Sequence, residues 1–491
     1  VSLAMKRPAG TAVVVTALLL LHHARTEELC SLLGPDASRS EISGPGLSKV
    51  AQPDRWFELV LRNEDGAAVD LEKPAWQSVN EELKDRDVII EIKVDDKVVE
   101  FRTYYVGRGV VRVIYGINRG RGHRVDISCK VREQHTIGSP VLIQEAHHFM
   151  CRNPVELSHF VEGLQCPAEQ QLEDDLKRWP NVTKEHRDRA LKEAHQVHYA
   201  FINQTLYSKV VGTIVDIRTL VEPFFLALAR MVKLPDVEFT LNFSDYPASA
   251  SHKPAAAFFS GCTTSKHHDV HIPTYDAMLS ALQRKHDMVR PCNHGYGPPW
   301  AQRKDKLVWR GSDSNRLRFA FNKYCAEHND TGYFDVGLSH TVREKHNLDK
   351  HGPVVGKMGF CEYFHNKWVA TVDGSVAPYR NAFLLSGGST IFRQDSPYTE
   401  HFYNALEPWV HYVPFSLGNH DLIERVEWAK KNPDKAEEIA INAVDFSRKH
   451  LVPSAIFCYT ARLLHEWAAR QTFTPSAEGM QEIREESGPC Q

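Results

Sequence analysis

Residues 372–380 read Val-Asp-Gly-Ser-Val-Ala-Pro-Tyr-Arg, and after Asn381 and Ala382 the chain continues Phe-Leu-Leu-Ser-Gly-Gly-Ser-Thr over residues 383–390. An apolar strand over 368–372 ends in the turn signal Asp373-Gly374. Ser375 is placed to cap a helix whose free amide groups point at an anion. Arg380 carries the planar fork that holds phosphate. A second strand over 383–385, with Gly387-Gly388 as its turn, leads into Ile391-Phe392. Residues 395–403 then crowd polar and aromatic groups of the kind that stack a base and fix a sugar. An ordinary α/β turn with a surface arginine fits the same residues, so this segment alone leaves two readings level.

Working outward, strands and helices alternate. Residues 169–178 and 184–200 have helical patterning, 214–233 is a long amphipathic segment, and 237–242 is a strand. Further strand-loop units fall at 257–259, 306–309 and 354–358. Such alternation argues for parallel sheets in two lobes, an α/β fold. The C-terminal part is helical: 421–431, then 435–450 capped by Asp434, then 456–469 capped by Ser454, with a polar, frayed end from Thr472. Before the lobes, residues 40–143 hold about seven short β-branched or aromatic runs split by turn signals, the spacing of a β-sandwich. No chemistry is evident in that module, which reads as a spacer or binding domain.

The chain has 491 residues, 42% apolar and 25% charged, a globular composition with room for several domains. A net charge of -3 gives no basic footprint for nucleic acid. Met5-Lys6-Arg7 precedes an apolar run at 12–21, with Ala24 following, so 5–26 reads as a cleavable signal peptide too short to span a bilayer. No other segment is apolar enough to insert in a membrane. Entry into the secretory pathway gives meaning to four sequons, at Asn181, Asn203, Asn242 and Asn329, and to ten cysteines. The cysteines include no Cys-x-x-Cys pair, which disfavours zinc and redox chemistry; one to three bridges with some buried free thiols are expected.

Three constellations carry candidate chemistry. Asp245 follows a strand's carboxyl end, where open α/β sheets place ligands, and could serve as a general base; an aspartate before the Pro247 turn is also a common cap. Trp309-Arg310-Gly311-Ser312, with Arg316 beyond it, offers a close backbone approach, a hydroxyl and charges for a diphosphate. His267-His268-Asp269-x-His271 gathers possible metal ligands, but the spacing fits no standard zinc helix and 26 histidines make chance clusters common. An Asp-x-Asp pair of the kind that holds manganese occurs at Asp85-Arg86-Asp87, inside the sandwich.

The motifs Trp309 to Ser312, Asp373 to Arg380, Asp395-Ser396-x-Tyr398-x-Glu400-His401-Phe402-Tyr403 and Leu406-x-Pro408-Trp409-x-His411-Tyr412-x-Pro414 resemble the protein O-glucosyltransferases of glycosyltransferase family 90. Within it the chain looks most like the KDEL-motif-containing subgroup, whose members carry a filamin-type immunoglobulin-like repeat; Gly44-Pro45-Gly46-Leu47 and Gly138-Ser139-Pro140 match that repeat's ends. The resemblance implies a filamin-type sandwich at 38–146, then a GT-B-like two-lobed Rossmann transferase. Its acceptor-side lobe spans 150–300, its UDP-sugar lobe and closing helices 301–470, and a polar tail 471–491. It implies UDP-glucose as donor, no metal or other cofactor, and inverting transfer to serine hydroxyls of folded EGF-like repeats in the endoplasmic reticulum lumen.

Asp245 falls on the family's catalytic base. Ser312, Arg316 (with a small gap), Ser375, Val376, Ala377, Pro378, Tyr379 and Arg380 fall on donor-binding positions. Arg310, Glu400 and His401 are candidates for donor or catalytic support, with Glu400 and His401 rivals for the base. Asp269, Pro273, Thr274 and Tyr275 fall near the acceptor side. The resemblance also implies that Cys151 or Cys166 bridges to Cys458, and that Cys361 is unpaired because no cysteine stands near Ser386. The chain ends Gly488-Pro489-Cys490-Gln491 without the subgroup's retention tetrapeptide, which leaves secretion as an alternative to lumenal residence. UDP-xylose as donor and a non-catalytic client-binding role are the competing readings.

Overall fold

The structure, a computed structural model, describes residues 34–484 except 48–54, 70, 72–79, 108, 118–121, 147–152, 194–195, 213–217, 283–297, 299, 342–346 and 348–350. The expected signal peptide, Cys151 and the last four residues lie outside the described residues. Among the described residues no helix is long and apolar enough to cross a membrane.

Two antiparallel sheets form the N-terminal sandwich. One runs in the order Glu41–Ser43, Arg55–Val60, Val110–Tyr115, Phe101–Gly107. The other is built on Val88–Val94 and His123–Val131, with the short strands Lys97–Val98 and Gln134–His135 and the strand Val141–Ala146 alongside. Alternation explains the layering: Phe57, Leu59, Val111, Val113, Ile127 and Cys129 are buried between the sheets while their neighbours face outward.

The first α/β sheet has the order Val270–His271, Phe258–Ser260, Val237–Asn242, Gln196–Ile202, Thr205–Val211, Gln481–Glu482. Its pairings are parallel only among the first three strands. The expected all-parallel arrangement is therefore corrected to a mixed sheet. The cause is a hairpin hidden in the segment read as helix over 184–200. The helix stops at Ala190, and Gln196–Ile202 is a central strand that turns back through Asn203 and Gln204, with φ of 49° and 66°. A strand buried on both faces shows no alternation, so its apolar run could not be told from a helix face by period alone.

The second sheet is fully parallel, in the order Phe334–His340, Lys304–Ser312, Asn366–Thr371, Thr390–Gln394, Val413–Phe415. Two expected strands are absent from it. Residues 383–385 belong to the one-turn helix Asn381–Leu385, which buries Ala382, Leu384 and Leu385. Gly387 ends it in a turn pressed on the Phe364 ring, where a Cβ would lie 1.7 Å from that ring. The stretch 354–358 forms no strand of the sheet; it meets Phe334–His340 through a bridge from Val354 to Leu338 and the Val355 side chain over Gly337, and Val354 and Val355 are exposed. Ser375 caps no helix; the residue before the short helix is Arg380.

The last two closing helices start two and three residues earlier than expected, at Pro433 and Pro453, because proline fits a first helical position whose amide has no partner to lose. Asp434 and Ser454 thus sit inside first turns and do not cap them. Helix Pro453–Arg470 returns to the first sheet. Phe457 stacks on Phe224 at 4.4 Å, Trp467 packs edge-on against Trp179 and Phe259, and Cys458 bridges to Cys166. Nor are residues 472–484 frayed: Gln481–Glu482 pairs with Thr205–Val211, and the Ser476 amide donates to Glu238. Cys361 is disulfide-bonded, contrary to expectation, so its pairing does not depend on a cysteine near 386. Cys129, Cys262 and Cys325 are free and buried.

Candidate active-site cleft

A cleft of about 660 Å³ opens between the two α/β sheets. The first contributes Asp245 and Asp276; the second contributes Gly311, Ser314, Arg318, Ser375, Ala377, Pro378, Tyr379 and Arg380 among others. Asp245 lies in the loop just past Val237–Asn242 and is exposed to the cleft. A smaller cavity of about 70 Å³ adjoins it, lined by Pro273, Thr274 and Tyr275, with Asp245 and Tyr379 belonging to both spaces. Tyr379 is largely buried, and its ring meets that of Tyr275 edge-on at 6.3 Å.

The second sheet's charges are arranged differently from what the sequence suggested. Arg310 is taken up by structure: its Nη2 pairs with Asp335 at 2.6 Å and its Nη1 donates to the carbonyls of Trp309 and Asp335. Arg316 opens the helix Arg316–Glu327, is exposed, and stands outside the cleft lining. Two residues further on, Arg318 faces the cleft, nine-tenths buried, with its guanidinium donating to the carbonyls of Asp373, Ser312 and Val372 at 2.9, 3.3 and 3.3 Å. Ser312 contributes that carbonyl, while Ser314 lines the cleft with its hydroxyl buried and unpartnered. The small gap needed to align Arg316 was the signal that could have found Arg318.

Arg380 donates to the Arg310 carbonyl at 2.5 Å and to the Tyr363 hydroxyl at 3.4 Å. Burial lowers Arg318 to about 10, and the nearby Arg380 charge adds to the effect. Gly374 makes the crowding possible: a Cβ there would lie 2.9 Å from Arg318 Nη2 and 3.2 Å from Ser314 Oγ. Behind it, burial pushes Asp373 up to about 6 although Ser396 Oγ donates to its carboxyl at 2.5 Å. Val376 is packing rather than lining: with Ala377 it sits on Cys262 and Tyr398.

The remaining candidates do not line the cleft. Burial pushes Glu400 up to about 8 and His401 down to about 3; both are fully enclosed and neither lines it. Asp269 is buried and accepts from the Ala248 and Ser249 amides and from Ser260 Oγ. The three histidines diverge. His267 pairs with Thr264, the His268 carbonyl accepts from Trp179, and His271 bridges Asp175 at 2.6 Å to Thr399 of the second lobe at 3.0 Å. Asp85 and Asp87 stand beside the strand Val88–Val94 in the sandwich, remote in sequence from every lining residue.

The sequence profile of a family described as Glycosyl transferase family 90 matches residues 162–491. Protein O-glucosyltransferase 2 of Danio rerio is 34% identical over 369 residues, covering 71% of this chain and 72% of the relative. Protein O-glucosyltransferase 3 of Homo sapiens is 30% identical over 485 residues, covering 91% and 90%. Protein O-glucosyltransferase 1 of Homo sapiens is 26% identical over 317 residues, covering 60% and 78%. A solved structure titled as the Lin-41 filamin domain is matched over 23% of this chain and 95% of that one, at 19% identity and a TM-score of 0.17, too low to fix the type of sandwich. The profile takes in both sheets and every lining residue of the cleft, and the match to human protein O-glucosyltransferase 3 runs nearly end to end: the chain belongs to glycosyl transferase family 90 and is a glycosyltransferase.

Proposed function

We propose that the protein is an inverting protein O-glucosyltransferase of the secretory pathway, moving glucose from UDP-glucose to serine hydroxyls of folded EGF-like repeats. In this reading the two α/β lobes form a GT-B-type transferase, the sandwich is a filamin-type repeat, and the site of action is the endoplasmic reticulum lumen. The observation that carries the reading is one cleft with the carboxylate of Asp245 on one wall and the neighbouring Arg318 and Arg380 guanidinium groups on the other. Arg318 and Arg380 suit a nucleoside diphosphate, whose charge they balance in place of a metal ion. Asp245 takes the serine proton as the oxygen attacks the anomeric carbon from the face opposite the diphosphate. The carbon–oxygen bond to UDP then breaks, and the arginines stabilise the departing charge.

Purified protein incubated with UDP-glucose, UDP-xylose and other UDP-sugars, plus a folded EGF-like repeat, is expected to add one hexose mass to the repeat. That product should also form in excess chelator. Addition of a pentose instead assigns UDP-xylose as donor, and loss of product restored by manganese overturns the arginine-based account.

A further inference from the structure

Asp245 stands in a loop rather than on a strand, and a general base misplaced by about an ångström loses much of its effect. The loop's geometry is set from beneath. Asn242, the last residue of the strand before it, receives the Ser244 amide on Oδ1 at 2.9 Å. Its Nδ2 donates across the loop to the Tyr246 carbonyl at 2.8 Å and sideways to Ser260 Oγ at 3.1 Å. Ser260 Oγ in turn donates to Asp269 Oδ1 at 2.6 Å. Asp269 closes the circuit by accepting the Ala248 amide on the same oxygen and the Ser249 amide on the other, both at 2.8 Å.

The two ends of the Asp245 loop are thus tied to one buried chain of hydrogen bonds, Asn242 to Ser260 to Asp269. We propose that Asp269 is a positioning residue that, through this chain, holds Asp245 where the acceptor proton must be received. An acceptor-contacting role does not fit a side chain with no exposed surface and both oxygens already occupied. The segment bearing Asp269 is itself braced. Arg178 donates to the His267 carbonyl and Trp179 to the His268 carbonyl, while the His268 amide donates to Ser249. The histidine-rich run therefore works through its backbone, as a shelf beneath the loop.

The inference rests on Asp245 being the base, and the test separates the two. Asp269→Asn keeps the shape but turns one acceptor into a donor facing a backbone amide. Ser260→Ala breaks the middle link and leaves the carboxylate in place. Both variants of the full chain are assayed beside Asp245→Asn, reading kcat and acceptor KM with the assay above, UDP affinity by calorimetry and Tm by scanning calorimetry.

The expected result is kcat lower by roughly tenfold to hundredfold in Asp269→Asn, with a smaller drop in Ser260→Ala. UDP affinity should stay within about twofold of the parent, because the arginines belong to the other lobe. Unchanged kcat in both variants overturns the inference, as does a loss of kcat that merely parallels lost UDP affinity and Tm. Parent-like turnover in Asp245→Asn removes the base itself, whatever Asp269 does. If Asp269→Asn does not fold, Ser260→Ala decides alone.

Discussion

Arg318 and Arg380 share one wall of the cleft, each held by main-chain carbonyl oxygens. Among the described residues neither makes an ion pair with a carboxylate. Two guanidinium groups in such proximity repel, and burial depresses Arg318 further, so an anion between them relieves a cost the empty fold carries.

Arg318→Ala should therefore weaken UDP binding by tenfold or more, since a charge-assisted contact is typically worth about 1.5 to 3 kcal/mol. Arg316→Ala, on the exposed side of the same helix, should leave the affinity within about twofold. Calorimetric titration of UDP against the two variants checks this, and equal losses would mean that helix integrity, not the Arg318 charge, is being measured.

Glu400 gives a pH signature with a definite sign. Burial raises its carboxyl to about 8, so between the ordinary carboxylate range and pH 8 the folded protein keeps a proton that the unfolded chain releases. Stability contributed at this position falls as pH rises through that window, by up to about 1.4 kcal/mol per pH unit. Glu400→Gln carries no such proton. Its Tm relative to the parent should climb from pH 5 to pH 8 and then level off; a difference independent of pH would contradict the assignment. Buried His401 and half-buried His450, lowered to about 3 and about 4, act in the opposite direction, losing stability as pH falls below their ordinary range.

The sandwich core draws only on residues 37–146, and the cores around the two α/β sheets only on residues from 155 onward. A protein beginning at residue 153 should fold and keep turnover on a single isolated repeat. A folded but inert truncation would show that the sandwich contributes to acceptor recognition.

What the sequence made legible follows from periodicity. Long alternating strands such as Arg55–Val60 and the long closing helices announced themselves, though not where the latter begin, while the buried central strand Gln196–Ile202 and the one-turn helix Asn381–Leu385 offered no usable period. Of the residues that line the cleft, Asp245 and Arg380 were singled out from the turn residues beside them and Tyr379 through the resemblance. Arg318 was not, since its role depends on which face of a helix meets Gly374. Arg310 does line the cleft, but nothing in the sequence signals that Asp335, twenty-five positions on, pairs with its guanidinium. Asp269 reads only as an acceptor-side or metal-ligand candidate because nothing local marks a partner in Ser260 or in the Ala248 and Ser249 amides.

The same burial separates the four sequons. Asn181, Asn203 and Asn329 are exposed. Asn242 is 8% exposed, its Nδ2 already donating to Tyr246 and Ser260, and a glycan on that nitrogen would replace one of its two hydrogens, abolish one of these bonds and crowd the loop that carries Asp245. Protein produced through a secretory pathway should therefore carry sugar at three sequons at most. Asn181→Gln, Asn203→Gln and Asn329→Gln should each remove one glycan's worth of mass where that site is occupied, with turnover within about twofold of the parent. Asn242→Gln should change no glycan mass yet lower turnover by about tenfold, because a longer side chain displaces the two bonds that span the loop. Mass spectrometry of the active fraction checks this directly, and a glycan found on Asn242 in enzyme with full turnover would mean that the loop does not need those bonds.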